Sequence, residues 1–155
     1  QSIDYVVEVI KIQITASASD IVYRSGTSAI VQNIPVFTQS RTGAAIPTYT
    51  YTYSLHLYDG STFSALSAAQ LTFDATTPAL TVYTADSSFG AIYDLAVRAT
   101  VNEVPSATAF DAFKVTIYSL QAASISNIEH LIGPNSMTFA FPSFDTSGFA
   151  GSITY

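Results

Sequence analysis

Polar and apolar residues alternate with period two along most of this chain. The longest run places Tyr93, Leu95, Val97, Ala99 and Val101 on one face. Just upstream, Leu71 and Phe73, then Leu80 and Val82, alternate with polar neighbours. Residues 71–101 therefore read as a short strand, a turn, a second short strand, a tight corner and a long strand. Side chains of a strand point alternately to its two faces, so this spacing predicts half-buried strands of an antiparallel sheet. In residues 48–58, TYTYTYSLHLY, the positions Tyr49, Tyr51, Tyr53, Leu55 and Leu57 share one face. Thr50, Thr52, Ser54, His56 and Tyr58 share the other, and Asp59-Gly60 supplies a turn dipeptide. Further strands are predicted at 4–14, at 29–37 and at 110–120, where Phe113, Val115 and Ile117 alternate. Pro35 suits an edge or a bulge. Residues 63–71 hold one helical turn at most. About seven short strands and no long helix predict an all-β fold, an antiparallel β-sandwich.

An internal repeat divides the chain. Sliding the sequence on itself by 107 residues pairs Ala16 with Ala123, Ser17 with Ser124, Ser19 with Ser126 and Ile21 with Ile128. The same register pairs Gly26 with Gly133, Pro35 with Pro142, Phe37 with Phe144 and Ser40 with Ser147, and sets Asp4 over Asp111. Repeats decide architecture, so three segments are expected. Residues 1–14 carry a strand that completes a preceding or neighbouring module, 15–120 form one complete sandwich, and 121–155 begin a second. A segment as short as the last cannot bury a core of its own.

Composition narrows the function classes. Charged residues are only 10% of the chain, far below the ~25% of an ordinary soluble domain. Ser and Thr supply the polar surface instead, which predicts cover by neighbouring subunits or by attached sugar. No Asn-x-Ser/Thr sequon is present, whereas the Thr-rich stretches leave room for O-linked sugar. The net charge of −6 and the scattered basic residues argue against nucleic acid. No apolar run approaches the ~20 residues of a membrane-spanning helix. With no cysteine, disulfides, thiolate metal sites and cysteine nucleophiles are excluded together. The chain opens on Gln1 rather than Met, as expected of a processed chain or a piece of a longer one.

The pattern Leu71-Thr72-Phe73-Asp74, Leu80-Thr81-Val82, Gly90, Tyr93, Leu95 and Val97 resembles the immunoglobulin-like and cadherin-like (putative-Ig type) tandem modules of cell-surface proteins. The resemblance covers residues 49–101 and implies an Ig-like sandwich. It also implies a structural corner at Gly90, Tyr93 and Leu95, in which the tyrosine hydroxyl bonds backbone just upstream. Calcium-stiffened arrays of that kind carry acidic clusters at module junctions. Here the junctions hold only Asp20 and Glu129, too few for six to eight oxygen ligands.

Candidate chemistry is sparse. His56 and His130 lack a nucleophile elbow and read as surface or packing residues. Asp59, Asp74, Asp86 and Asp94 read as turn and loop carboxylates before they read as a cation site. The row Tyr49, Tyr51 and Tyr53 could stack on sugar rings, but its continuation into Leu55 and Leu57 makes it core or interface. No catalytic residue, metal site or cofactor is expected, and the chain does not read as an enzyme. The expectation is a structural subunit of an extracellular filament or cell-surface fibre. Copies of the chain, or adjacent modules, would join head to tail by β-strand complementation. Val6, Ile10, Ile12 and Ile14 at one end, with Met137, Phe139 and Phe141 at the other, would form the assembly interface. The alternative is a carbohydrate-binding or adhesive module recognising surface glycans.

Overall fold

A computed structural model describes residues 11–14, 16–35, 37–40 and 48–120. All of its regular elements are strands. They are β1 (Lys11–Ile14), β2 (Ile21–Arg24), β3 (Ile30–Asn33), β4 (Phe37–Ser40), β5 (Tyr51–Tyr58), β6 (Phe63–Ala65), β7 (Leu71–Asp74), β8 (Ala79–Val82), β9 (Ala91–Val101) and β10 (Thr108–Tyr118). Five of them form one sheet in the order β2-β10-β9-β5-β6, three form a second in the order β3-β8-β7, and β1 pairs with β4. The long alternating stretch of the sequence is thus β7, β8 and β9. Ile34 and Pro35 interrupt what the sequence suggests is one strand and leave β3 and β4 in different sheets. Residues 66–70 form a loop and turn with no helix.

β9 and β10 are the spine. They pair antiparallel from Thr100↔Thr108 to Ala91↔Ile117. β5 adds to the free edge of β9 from Tyr51↔Val101 to Leu57↔Leu95. β2 adds to the other side, but parallel to β10, with Ile21 opposite Val115 and Tyr23 opposite Ile117. The five-stranded sheet is therefore mixed, not antiparallel throughout as the alternation alone suggests. Two hydrogen bonds set this parallel entry: Ala18 N–H donates to the buried Asp111 carboxylate, and Lys114 N–H donates to Asp20 Oδ1 at 2.8 Å. These bonds hold the segment before β2 against β10 on both sides of Ala112.

The inner faces share one apolar cluster. Ile21, Tyr23, Tyr53, Leu95, Val97, Ala99, Phe113, Val115 and Ile117 come from the five-stranded sheet. Leu71, Leu80 and Val82 come from the three-stranded sheet, and Ile34 and Phe37 from β4 and its approach. Sheets joined by one core in this way are consistent with a β-sandwich. Tyr51, Leu55 and Leu57 pack against the same cluster, so the tyrosine row of β5 faces the core. Tyr23 is fully buried and still satisfied: its hydroxyl donates to Thr27 O at 2.9 Å and accepts from Thr84 N–H at 3.4 Å. The turn after β2 uses Gly26 at φ +74°, where an added Cβ would stand 2.9 Å from Ser87 Cβ.

Leu80 is completely buried, whereas Val31 on the edge strand β3 is 63% exposed. Leu80→Ala should lower the unfolding free energy by about 2–5 kcal/mol, from lost transfer energy plus the cavity left behind. Val31→Ala should stay within about 0.5 kcal/mol of the parent. Urea unfolding of both variants measures the contrast, and equal losses would contradict this placement of the core.

Candidate functional site

The outward face of the five-stranded sheet gathers side chains that lie far apart in sequence. Pairing puts Phe63 beside Tyr58, Ala65 beside His56, His56 beside Ala96, Ala96 beside Ala112, and Arg98 between Ser54 and Phe110. The two alanines leave a gap in the middle of this face, and rings close over part of it. Tyr58 and Phe63 stack with centroids 4.9 Å apart. Phe110 meets each of them at 5.1 Å, and His56 meets the edge of Phe63 at 5.8 Å. The guanidinium of Arg98 lies 5.9 Å from the Phe63 centroid, within cation–π range. Beneath this cluster Ala96 has no exposed surface, although its side chain points away from the core. Phe63 and Phe110 remain 37% and 42% exposed.

Beside the rings runs a trough of about 430 Å³. Tyr58 and the Asp59-Gly60 turn bound one end, Asp20 the other, and Ala112, Asp94 and Lys114 lie between. Lys114 Nζ and Asp94 Oδ1 are 3.4 Å apart, with both side chains largely in solvent. The turn at the trough's mouth is fixed by its own hydrogen bonds. Asp59 Oδ1 accepts from Ser61 N–H at 2.9 Å and Thr62 N–H at 2.7 Å, and Oδ2 accepts from Thr62 Oγ1 at 2.6 Å. The Tyr58 hydroxyl donates to Gly60 O at 2.8 Å, while Gly60 adopts φ +94°.

The remaining acidic residues have similar local roles. Asp74 accepts from Thr76 N–H and Thr77 Oγ1, and Asp86 from Ser88 N–H and Oγ. Glu103 accepts from Thr50 N–H and Oγ1. Ser54 Oγ and His56 Nε2 lie 2.9 Å apart, a nucleophile–base contact. The histidine has no carboxylate partner among the described residues, and acyl transfer by such a pair also calls for an orienting group and oxyanion donors. His130 lies outside the described residues.

The sequence-predicted site residues fall in several places. Ile12 and Ile14 are half-buried against the chain's own core, and β1 pairs with β4 from Ile14↔Phe37 to Lys11↔Ser40. Over those four residues the strand expected to complete a neighbour lies in its own sandwich, because its isoleucines fall on the same face as Phe37. Val6, Ile10, Met137, Phe139 and Phe141 lie outside the described residues. Leu95 is core. Tyr93 does not make the implied bond to backbone just upstream: its hydroxyl donates to the Gln70 side chain at 3.4 Å. Asp86 holds the corner instead, through Ser88 and through its own carbonyl, which accepts from Phe89 N–H. Gly90 needs no left-handed backbone there. The outer aromatic cluster escaped sequence reasoning because its members sit on β5, β6 and β10 and meet only through strand order.

No protein-family model matches the chain, and no curated protein is significantly similar to it.

Hydrogen bonds to the ionised form hold the carboxyls of Asp59, Asp74 and Asp86 below the ordinary aspartate value of 3.8, led by those from Thr62, Thr77 and Ser88 respectively. Groups with lowered folded-state values stabilise the fold above the unfolded value, and that contribution disappears as pH falls through the folded value. Stability from these turns should therefore be intact at neutral pH and drain away below about pH 4. A carbon-detected NMR titration should find the Asp59 carboxyl midpoint well below 3.8. In Thr62→Val it should move up toward the ordinary value, and an unchanged midpoint would contradict this cause.

Proposed function

We propose that the chain is a structural segment of an extracellular, cell-surface fibre built from Ig-like β-sandwich modules in series, with neighbouring modules sharing a continuous strand. The observation that carries this reading is where the 107-residue offset lands on the fold. It superposes Tyr118, the last residue of β10, on Lys11, the first residue of β1. A strand that closes one sandwich would then run without a linker into the strand that opens the next. That is β-strand complementation along one chain, with residues 1–10 as counterparts of β10 and residues 11–14 as β1.

Three of the matched positions are ones the fold makes demanding. Ile21 and Phe37 are buried, and Gly26 occupies the left-handed turn. The offset keeps an isoleucine, a phenylalanine and a glycine at their counterparts Ile128, Phe144 and Gly133. It sets Ile10 over the buried Ile117, and Asp4 over Asp111, which accepts the Ala18 N–H.

The strand order supports the Ig-like assignment. A sheet ordered β10-β9-β5-β6 facing one ordered β3-β8-β7 over a single core fits the two-sheet plan of such modules, with the parallel β2 added at its edge. Low charge and a Ser/Thr-rich surface fit a protein that spends its life beside other copies.

An eleven-residue strand measures on the order of 40 Å, which sets the length of one sandwich. Electron microscopy of the protein isolated from its source should show elongated particles or filaments with an axial repeat of about that length. Compact particles with no axial repeat would overturn the proposal.

A further inference from the structure

The proposed sharing of a strand between modules makes no use of the trough on the outer sheet face, and the trough's chemistry is specific. Its volume of about 430 Å³ falls in the range of small-ligand sites. The Tyr58 ring lines the trough, and Phe63 and Phe110 pack against that ring outside the lining, so the aromatic shelf is held before any ligand arrives. Across the alanine gap stand Asp94 and Lys114, 64% and 49% exposed, with hydrogen-bonding capacity to spare beyond their own contact.

Charge and geometry select among ligands. Asp20, Asp59 and Asp94 surround the trough against one ammonium, which disfavours an anion. A hard cation calls for six to eight oxygens, and Asp59 is already bonded to its own turn while Asp20 accepts the Lys114 N–H. What fits is a neutral molecule with an apolar face and a rim of hydroxyls. Pyranose sugars have that form: axial C–H groups cover one face and hydroxyls ring the edge.

We infer that the shelf and trough form a binding site for a neutral oligosaccharide. One pyranose lies with its C–H face on the exposed ring of Phe110, its edge against Tyr58, and its neighbour places hydroxyls on Asp94 and Lys114. Same-face positions on a strand are about 6.7 Å apart, so Phe110 and Lys114 are separated by about 13 Å at the backbone. That span suits two linked rings. The site does not depend on the fibre reading, since it is complete within one sandwich.

The test uses the whole chain and saturation-transfer NMR with four disaccharides: cellobiose, lactose, maltose and diacetylchitobiose. 3′-Sialyllactose serves as the anionic comparison. For at least one disaccharide, transfer to ring C–H protons is expected, with a dissociation constant on the order of 1 mM, as suits an open site. Binding should weaken about fivefold or more in Asp94→Asn and in Phe110→Ser, and vanish in Ala112→Trp, which fills the gap. All three substitutions fall at exposed positions, and unchanged urea midpoints would show that the fold is intact. Absence of transfer from all four disaccharides would overturn the inference. So would transfer that survives all three substitutions, or tighter binding of the sialylated sugar.

Discussion

Everything in this sandwich hangs on the pairing of β9 with β10. That ladder is the longest in the structure, and both of its outer edges are used, β9 by β5 and β10 by β2. Each strand contributes two surfaces with different chemistry. The inward positions Leu95, Val97, Ala99, Phe113, Val115 and Ile117 make the floor of the core. The outward positions Asp94, Ala96, Arg98, Phe110, Ala112 and Lys114 make the trough and its aromatic border. A one-residue slip would exchange the two sets and bury an Asp, a Lys and an Arg. The core and the candidate site are therefore fixed by the same register.

The polar groups that must be buried are handled locally. Asp111 sits among apolar neighbours and is occupied by the Ala18 N–H, which also steers the chain into its parallel pairing. Tyr23 bridges the turn after β2 and the segment after β8 through one hydroxyl. At the surface, Asp59, Asp74 and Asp86 each close a turn with a following Ser or Thr, and four of the acidic residues are thereby spent on backbone geometry once Glu103 is added. This is one reason so few charges remain to mark a functional surface.

Local alternation made much of the fold legible. Residues 71–101 resolve into β7, β8 and β9 as the pattern implies, and the tyrosine row of β5 faces the core because it continues into Leu55 and Leu57. β10 starts and ends two residues earlier than its alternation suggests, since its ends are set by partners on β9 and β2. β2 itself was not legible. Its four residues, Ile21 to Arg24, run Ile-Val-Tyr-Arg with no apolar–polar alternation over the three that are apolar, and parallel pairing with a strand 94 residues away leaves no local trace. The outer site was hidden for the same reason. Tyr58, Phe63 and Phe110 each read as ordinary strand residues, and only strand order brings their rings together.

The proposed joining of modules requires β1 to belong to its own sandwich. Gln13 and Thr38 are register partners on the solvent side of the β1–β4 pair, and the chain has no cysteine of its own. Cross-strand partners are spaced suitably for a disulfide. The double variant Gln13→Cys, Thr38→Cys should therefore oxidise within single chains and run as a monomer on a non-reducing gel at every protein concentration. A ladder of disulfide-linked dimers and higher species that grows with concentration would mean that β1 is donated to a neighbouring chain, and would contradict the account.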